Sequence, residues 1–129
     1  MPALEAMPGI RVVADPAALD AARWTGDEPT VLRIAPDEAL GLGATGVDVD
    51  DPAAIVVAEA GFLGGWVDAG GLADVQAHTD WPLPEEPGTV AQGKIAGVPA
   101  KLLVGDRPLL VTHAAYADEL LDRLRWRRP

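Results

Sequence analysis

The chain contains no cysteine and no serine. The first absence excludes disulfides, thiolate metal sites and cysteine nucleophiles. The second excludes a serine nucleophile. Long hydrophobic runs are missing too: none approaches the roughly 18 residues that a membrane-spanning helix needs. Met1 to Gly9 has no basic segment leading into an apolar core, as a secretory signal would. A membrane is therefore not an expected partner, and the cytosol is the expected compartment. Positive charge is also scarce. Ten Lys and Arg stand against 20 Asp and Glu, for a net charge of −10. Nucleic-acid backbones are held by clustered cations, so nucleic acid is not expected as a partner. The one basic cluster is Arg123, Arg125, Arg127 and Arg128, ending in a basic tail at 127–129. Arginines there complement the negative end of a helix dipole. The acidity reads as solubility, and the Ala-, Gly-, Asp- and Arg-rich style, nearly free of Lys, points to a GC-rich genome.

What is present describes a folded protein. At 129 residues and 49% hydrophobic, the chain is read as a single domain over 1–129, able to bury a core without staples. Residues 1–9 read as a loose lead-in. Ile10 to Ala14 reads as a strand. Asp15-Pro16 opens a helix running through Leu19 and Ala22 to Trp24, with Asp15 accepting free amide hydrogens and Pro16 at the first helical position. Asp27-Glu28-Pro29 is a connection. Thr30 to Ala35 and Ala39 to Leu42 form a hairpin about Pro36-Asp37, although Gly41, Gly43 and Gly46 weaken the second strand. Asp48-Val49-Asp50-Asp51-Pro52 lacks the third spaced acid, the central glycine and the distal Glu of a calcium loop, so it reads as an acidic turn. No metal is expected.

The second half is better defined. Ala53 to Glu59 and Phe62 to Val67 read as strands, and Asp68 caps a short helix covering Leu72, Val75 and Ala77. Pro82 to Pro87 is an extended connection. Thr89 to Ala96, Pro99 to Val104 and Pro108 to Thr112 form an antiparallel meander, turning at Gly97 and at Gly105-Asp106. In the helix His113 to Trp126, Ala117, Leu120, Leu121 and Leu124 lie on one stripe. The expected class is α+β, a mostly antiparallel sheet covered by helices.

From Val31 to Leu124 the chain resembles the sarcosine oxidase gamma subunit, of the folate-binding aminomethyltransferase superfamily that includes the T-protein of glycine cleavage. The resemblance is carried by Val31-Leu32-Arg33-Ile34-Ala35-Pro36-Asp37-Glu38, by Ala54-Ile55-Val56-Val57 and by Trp66-Val67-Asp68-Ala69-Gly70-Gly71. It continues in Pro87-Gly88-Thr89-Val90-Ala91-Gln92, Ile95 to Leu102, and the closing Ala114-Ala115-Tyr116-Ala117-Asp118-Glu119-Leu120. It implies that superfamily's fold and, by analogy with the gamma subunit, a scaffold without flavin chemistry that binds a protein partner or itself. The catalytic acid and folate contacts of aminomethyltransferases fall mostly in regions that this chain lacks, so none of them transfers here. Folate as a ligand is implied by the resemblance alone; no cofactor is otherwise expected.

Few residues are candidates for chemistry. His78 and Asp80 stand two apart at the end of the short helix, where a His–carboxylate pair can act as a base or simply close the helix. His113 opens the last helix, and the two histidines share no metal-ligand spacing. Gln92 and Lys94 alternate along one strand and so share a face, where they could hold a carboxylate or a pterin-like amide, or be plain sheet surface. Gly93 between them permits close approach. Among the four tryptophans, Trp66 is expected in the core and Trp81 and Trp126 at a partner surface. The expected function is a non-catalytic binding or assembly domain. The alternative is a small-molecule binder or enzyme of one-carbon or amino-acid metabolism, taking a folate or an amine and using Gln92, Lys94, His78 and Asp80.

Overall fold

The computed structural model describes residues 3–126. The last three residues, and with them the basic tail, lie outside the described residues, as do the first two of the lead-in. In chain order the elements are β1 (Glu5–Ala6), β2 (Gly9–Val13), α1 (Pro16–Asp20), β3 (Arg23–Ala35), β4 (Glu38–Asp48), β5 (Ile55–Glu59), β6 (Phe62–Trp66), α2 (Ala69–Ala77), β7 (Val90–Ile95), β8 (Val98–Leu103), β9 (Leu109–His113) and α3 (Ala114–Leu124). All strand pairs are antiparallel, and the class is α+β. The strands form two sheets, in the orders β3-β4-β2-β5 and β1-β6-β9-β8-β7. Correspondingly the chain divides into two compact units, Met7–Gly61 and Phe62–Pro129 with Met1–Ala6.

In the unit Met7–Gly61, β3 and β4 make a long hairpin about Pro36-Asp37. Asp27-Glu28-Pro29 is not a connection between elements but an irregularity inside β3: the register shifts between Gly26 and Thr30, and Glu28 turns through a φ of 45°. The helix expected to reach Trp24 stops at Asp20, and Trp24 lies in β3 opposite Val47. Gly41 explains this. A Cβ there would stand 2.4 Å from the Trp24 ring, so the indole covers the bare backbone of β4. Glycine weakens the strand locally, yet β4 runs on to Asp48 because that gap is filled. Val12, Ala14, Leu19 and Ala39 are buried together beneath Trp24 and Val47.

Asp15 makes no side-chain cap to α1. Its own amide donates instead to Asp51 Oδ2 at 2.8 Å, while Ala53 donates to Asp51 Oδ1 at 2.9 Å. The acidic turn thus uses one carboxylate to tie the start of α1 to the entry of β5.

In the other unit, β7, β8 and β9 form the expected meander, joined to β6. The lead-in is not wholly loose: Glu5 and Ala6 pair with Gly64 and Leu63. Gly65 permits this approach, since a Cβ there would stand 2.6 Å from the Ala3 carbonyl oxygen. Asp68 caps α2 by accepting from the Gly71 amide at 2.7 Å. Both α2 and α3 supply the core on one face, where Val75, Leu120 and Leu124 meet Ile95, Val98, Leu102 and Leu110. Among the described residues no helix is long and apolar enough to cross a membrane.

The two amide donors hold the Asp51 carboxyl below the usual carboxylate range. With a folded pKa below the unfolded one, ionised Asp51 stabilises the fold above the unfolded value, and that contribution is lost as pH falls through the folded one. Thermal melts of the wild type and Asp51→Ala should therefore differ at pH 6 and converge toward pH 2. A gap that stays constant across that range would contradict the linkage.

Candidate functional site

Residues opposite one another in an antiparallel pair share a face, and the side-chain period is two. Gln92 stands opposite Lys101, and Lys94 opposite Pro99. Lys101 in turn stands opposite Val111, and Phe62 opposite His113. The intervening positions Ala91, Ile95, Val98, Ala100 and Leu102 belong to the helix-covered core. Gln92, Lys94, Lys101, Phe62 and His113 therefore lie together on the sheet face turned away from the helices. Here they line a cleft of about 290 Å³, floored by Pro99 and by the backbone of Gly93 and Ala100.

The groups around the cleft are ordered. Lys101 Nζ donates to Gln92 Oε1 at 3.0 Å and stands 6.0 Å from the Phe62 ring centroid. The His113 ring stacks on Phe62 with centroids 4.3 Å apart and planes at 30°. Phe62 is buried, so it serves as a platform for the exposed imidazole and not as a contact surface of its own.

The strand bearing Gln92 and Lys94 is fastened from the helix side. Trp81 Nε1 donates to the Lys94 carbonyl at 2.8 Å. Its ring lies 3.4 Å from where a Cβ of Gly93 would be, and Gly93 has a φ of 152°. Gln76 secures the connection by donating to the Trp81 carbonyl at 3.0 Å and accepting from the Leu83 amide at 2.8 Å. Thr79, almost fully buried, donates to the Val75 carbonyl at 2.6 Å and accepts from the Ala96 amide at 3.2 Å.

Of the residues expected at a site, Gln92 and Lys94 come together and the others do not join them. His78 is exposed at the end of α2, with Nδ1 2.8 Å from the Asp74 carbonyl oxygen. Asp80 is exposed in the following turn, and neither residue lines the cleft. Among the described residues no histidine is hydrogen-bonded to a carboxylate, and no group of three His, Asp or Glu could hold a metal. What converges on the cleft among the described residues is Gln92, Lys94, Lys101, Thr112 and His113.

Two expectations for tryptophan are corrected. Trp126 is 6% exposed and belongs to the core. Arg125 takes a left-handed conformation with φ 59° at the end of α3, which folds the chain back so that the Trp126 amide bonds the Leu121 carbonyl at 2.9 Å. The indole then reaches Asp74, 3.4 Å from its Oδ2. Trp81 is half-buried against the same core and acts as a clamp on β7. Lys101 lines the cleft without having been a candidate from the sequence, and His113, weighed there only as the opening of the last helix, joins it. The signal for Lys101 was available: a two-residue turn at Ala96-Gly97 puts it opposite Gln92.

No protein-family model and no curated protein sequence matches this chain.

A core role for Trp126 predicts that Trp126→Ala lowers unfolding free energy by about 3–5 kcal/mol in urea titration, the usual cost of deleting a buried indole. A change within about 0.5 kcal/mol would return the residue to the surface.

Proposed function

We propose that the protein is a non-catalytic binding or assembly domain, and that its binding element is the outer edge of β5. The supporting observation is the state of that strand. Among the described residues it pairs only with β2, at the edge of its sheet. Ile55, Val56 and Val57 are 59%, 48% and 45% exposed, three of the five large hydrophobics exposed among the described residues. Edge strands are ordinarily protected by lysine, proline or a bulge. Here none of these lies within the strand, whose residues are Ile-Val-Val-Ala-Glu. The strand is tied to its sheet by side chains as well: Arg11 reaches Glu38 at 3.4 Å and Glu59 at 3.5 Å, bridging three strands. An ordered apolar edge is suited to receive another strand by backbone hydrogen bonding.

The sequence of β5 fits a second copy of itself. An antiparallel two-fold pair centred on Val57 sets Val57 against Val57, Val56 against Ala58 and Ile55 against Glu59, so that the centre of the pair is apolar and its ends are charged. Five residues bury far less than the roughly 1,600 Å² of a standard stable interface, so the dimer is expected to be weak. With a charge of −10 on each copy, added salt should strengthen it. The resemblance to the sarcosine oxidase gamma subunit supports the same class of role, a subunit that assembles without carrying the chemistry. The cytosol is the compartment in which we place it.

Light scattering coupled to size-exclusion chromatography tests the reading. The wild type should pass from monomer to dimer as concentration rises, and more readily in higher salt. Val57→Glu, which sets like charges opposite each other in the dimer but faces Arg11 within one copy, should weaken association by at least tenfold without lowering the melting temperature. A wild type that stays monomeric at every concentration, or a variant that dimerises equally well, would overturn it.

A further inference from the structure

Independently of the β5 edge, we infer that the outer side of β6 is a docking groove for an extended peptide segment of a partner protein, with an aliphatic side chain seated over Gly65, and that residues 3–6 of the chain are its displaceable resident.

The edges of the sheet are the first reason. The outer strands of the five-stranded sheet are β1 and β7. At β7, Trp81 Nε1 binds the Lys94 carbonyl at 2.8 Å, and side-chain cover of this kind protects an edge. The other end is closed by β1, which is two residues long and exposed at both. β6 has five residues, Phe62–Trp66, and β1 is in register with Leu63 and Gly64 alone. The ladder therefore covers less than half of the strand that it borders.

A side-chain socket is the second. One step along the register from the Glu5–Gly64 pair, Leu4 meets Gly65. A Cβ at Gly65 would stand 3.3 Å from Leu4 Cδ2 and 2.6 Å from the Ala3 carbonyl oxygen. The bare backbone of Gly65 thus takes a leucine and a crossing main chain from the neighbouring segment. Leu4 is half-buried there and packs against the helix-covered core. Main-chain pairing beside one seated side chain is the arrangement of strand addition, in which backbone bonds give affinity and a pocket reads the side chain. The resident segment shows what the groove takes.

The balance of contacts is the third. Two residue pairs and one half-buried leucine are few contacts, and segments held by few contacts open at low free energy. The advantage of the resident is its tether, which gives it a high effective concentration. A segment that pairs with all of β6 makes more backbone bonds and offsets that advantage. Its residue opposite Trp66 shares a face with the half-buried indole, which carries the Arg107 guanidinium 4.4 Å from its ring centroid. An apolar β-branched residue suits that position, as it suits extended backbone.

The test is an NMR titration of the full chain, as wild type and as Leu4→Asp, with the peptide Lys-Val-Leu-Thr-Val-Val-Lys and with the same peptide carrying glycine in place of leucine. Leu4→Asp removes the anchor of the resident and leaves β6 as it is. The leucine peptide should shift the amides of Phe62–Trp66 saturably. It should bind Leu4→Asp about tenfold or more tightly than the wild type, since apparent affinity rises with the fraction of open grooves. It should also bind either protein more tightly than the glycine peptide does. In the wild type alone, the bonded amides of β1 should exchange about a hundredfold or more faster than those of β8 and β9. Equal affinity of the two proteins, equal affinity of the two peptides, or shifts confined to Ile55–Glu59 would overturn the groove. Protection of β1 equal to that of β8, or a Leu4→Asp chain that does not fold, would show the segment to be integral to the core and would overturn its displacement.

Discussion

A single buried hydroxyl governs the geometry of the cleft-bearing sheet. Thr79 is one of two polar residues buried among the described residues, and it satisfies two backbone groups at once, the Val75 carbonyl at the end of α2 and the Ala96 amide in the β7–β8 turn. Ala96 has a φ of 52° and Gly97 of 80°, the left-handed pair that a two-residue hairpin turn requires. Glycine adopts this readily and alanine at a cost of about 1–2 kcal/mol. The bond from Thr79 therefore secures the residue with the strongest reason to leave. Since the side-chain period is two, a slip of one residue in this hairpin would carry Gln92, Lys94 and Lys101 to the helix side and Ile95, Val98 and Leu102 to the other. Trp81 reinforces the register from the same side by occupying the space over Gly93 and binding the Lys94 carbonyl.

The sheet of the other unit is organised around β2. This strand lies between β4 and β5 and carries Arg11, whose guanidinium reaches a glutamate on each neighbour. Arg11 Nε is buried without a partner, so the bridge is not a source of large stability; half-buried ion pairs gain little after desolvation. Its structural effect is on position. It holds the end of β5 to β2 and keeps the exposed Ile55-Val56-Val57 segment an ordered strand. An ordered edge loses less conformational entropy on accepting another strand than a frayed one would.

Much of this was legible in the residues themselves. The meander, the capping of α2 by Asp68 and the shared face of Gln92 and Lys94 all follow from local rules: turn glycines, an Asp before a helix, alternation in a strand. The stripe of α3 follows in the same way from helical periodicity, and the α+β class from the order of the elements. The misreadings have a common cause, which is contact between residues distant in sequence. Trp24 continued a helical pattern locally, but the groove over Gly41 takes it into a strand. Asp15 looked like a cap because its partner, the Asp51 carboxylate, lies 36 residues on. Glu5 and Ala6 looked unstructured because the strand they pair with is distant in sequence and admits them where Gly65 has no side chain. Trp126, set among arginines, looked like surface, and a left-handed Arg125 turns it inward. His113 joined the cleft through strand pairing with Phe62, which no local pattern announces.

Recognition by strand addition at β5 is the central claim, and amide hydrogen exchange of β5 reads it most directly. Alternate amides of an edge strand point away from its only neighbour and exchange with solvent unless another strand covers them. As protein concentration rises, protection should increase at outward amides within Ile55–Glu59 and leave β7 and β8 unchanged. Exchange in β5 that is independent of concentration would contradict assembly through this edge.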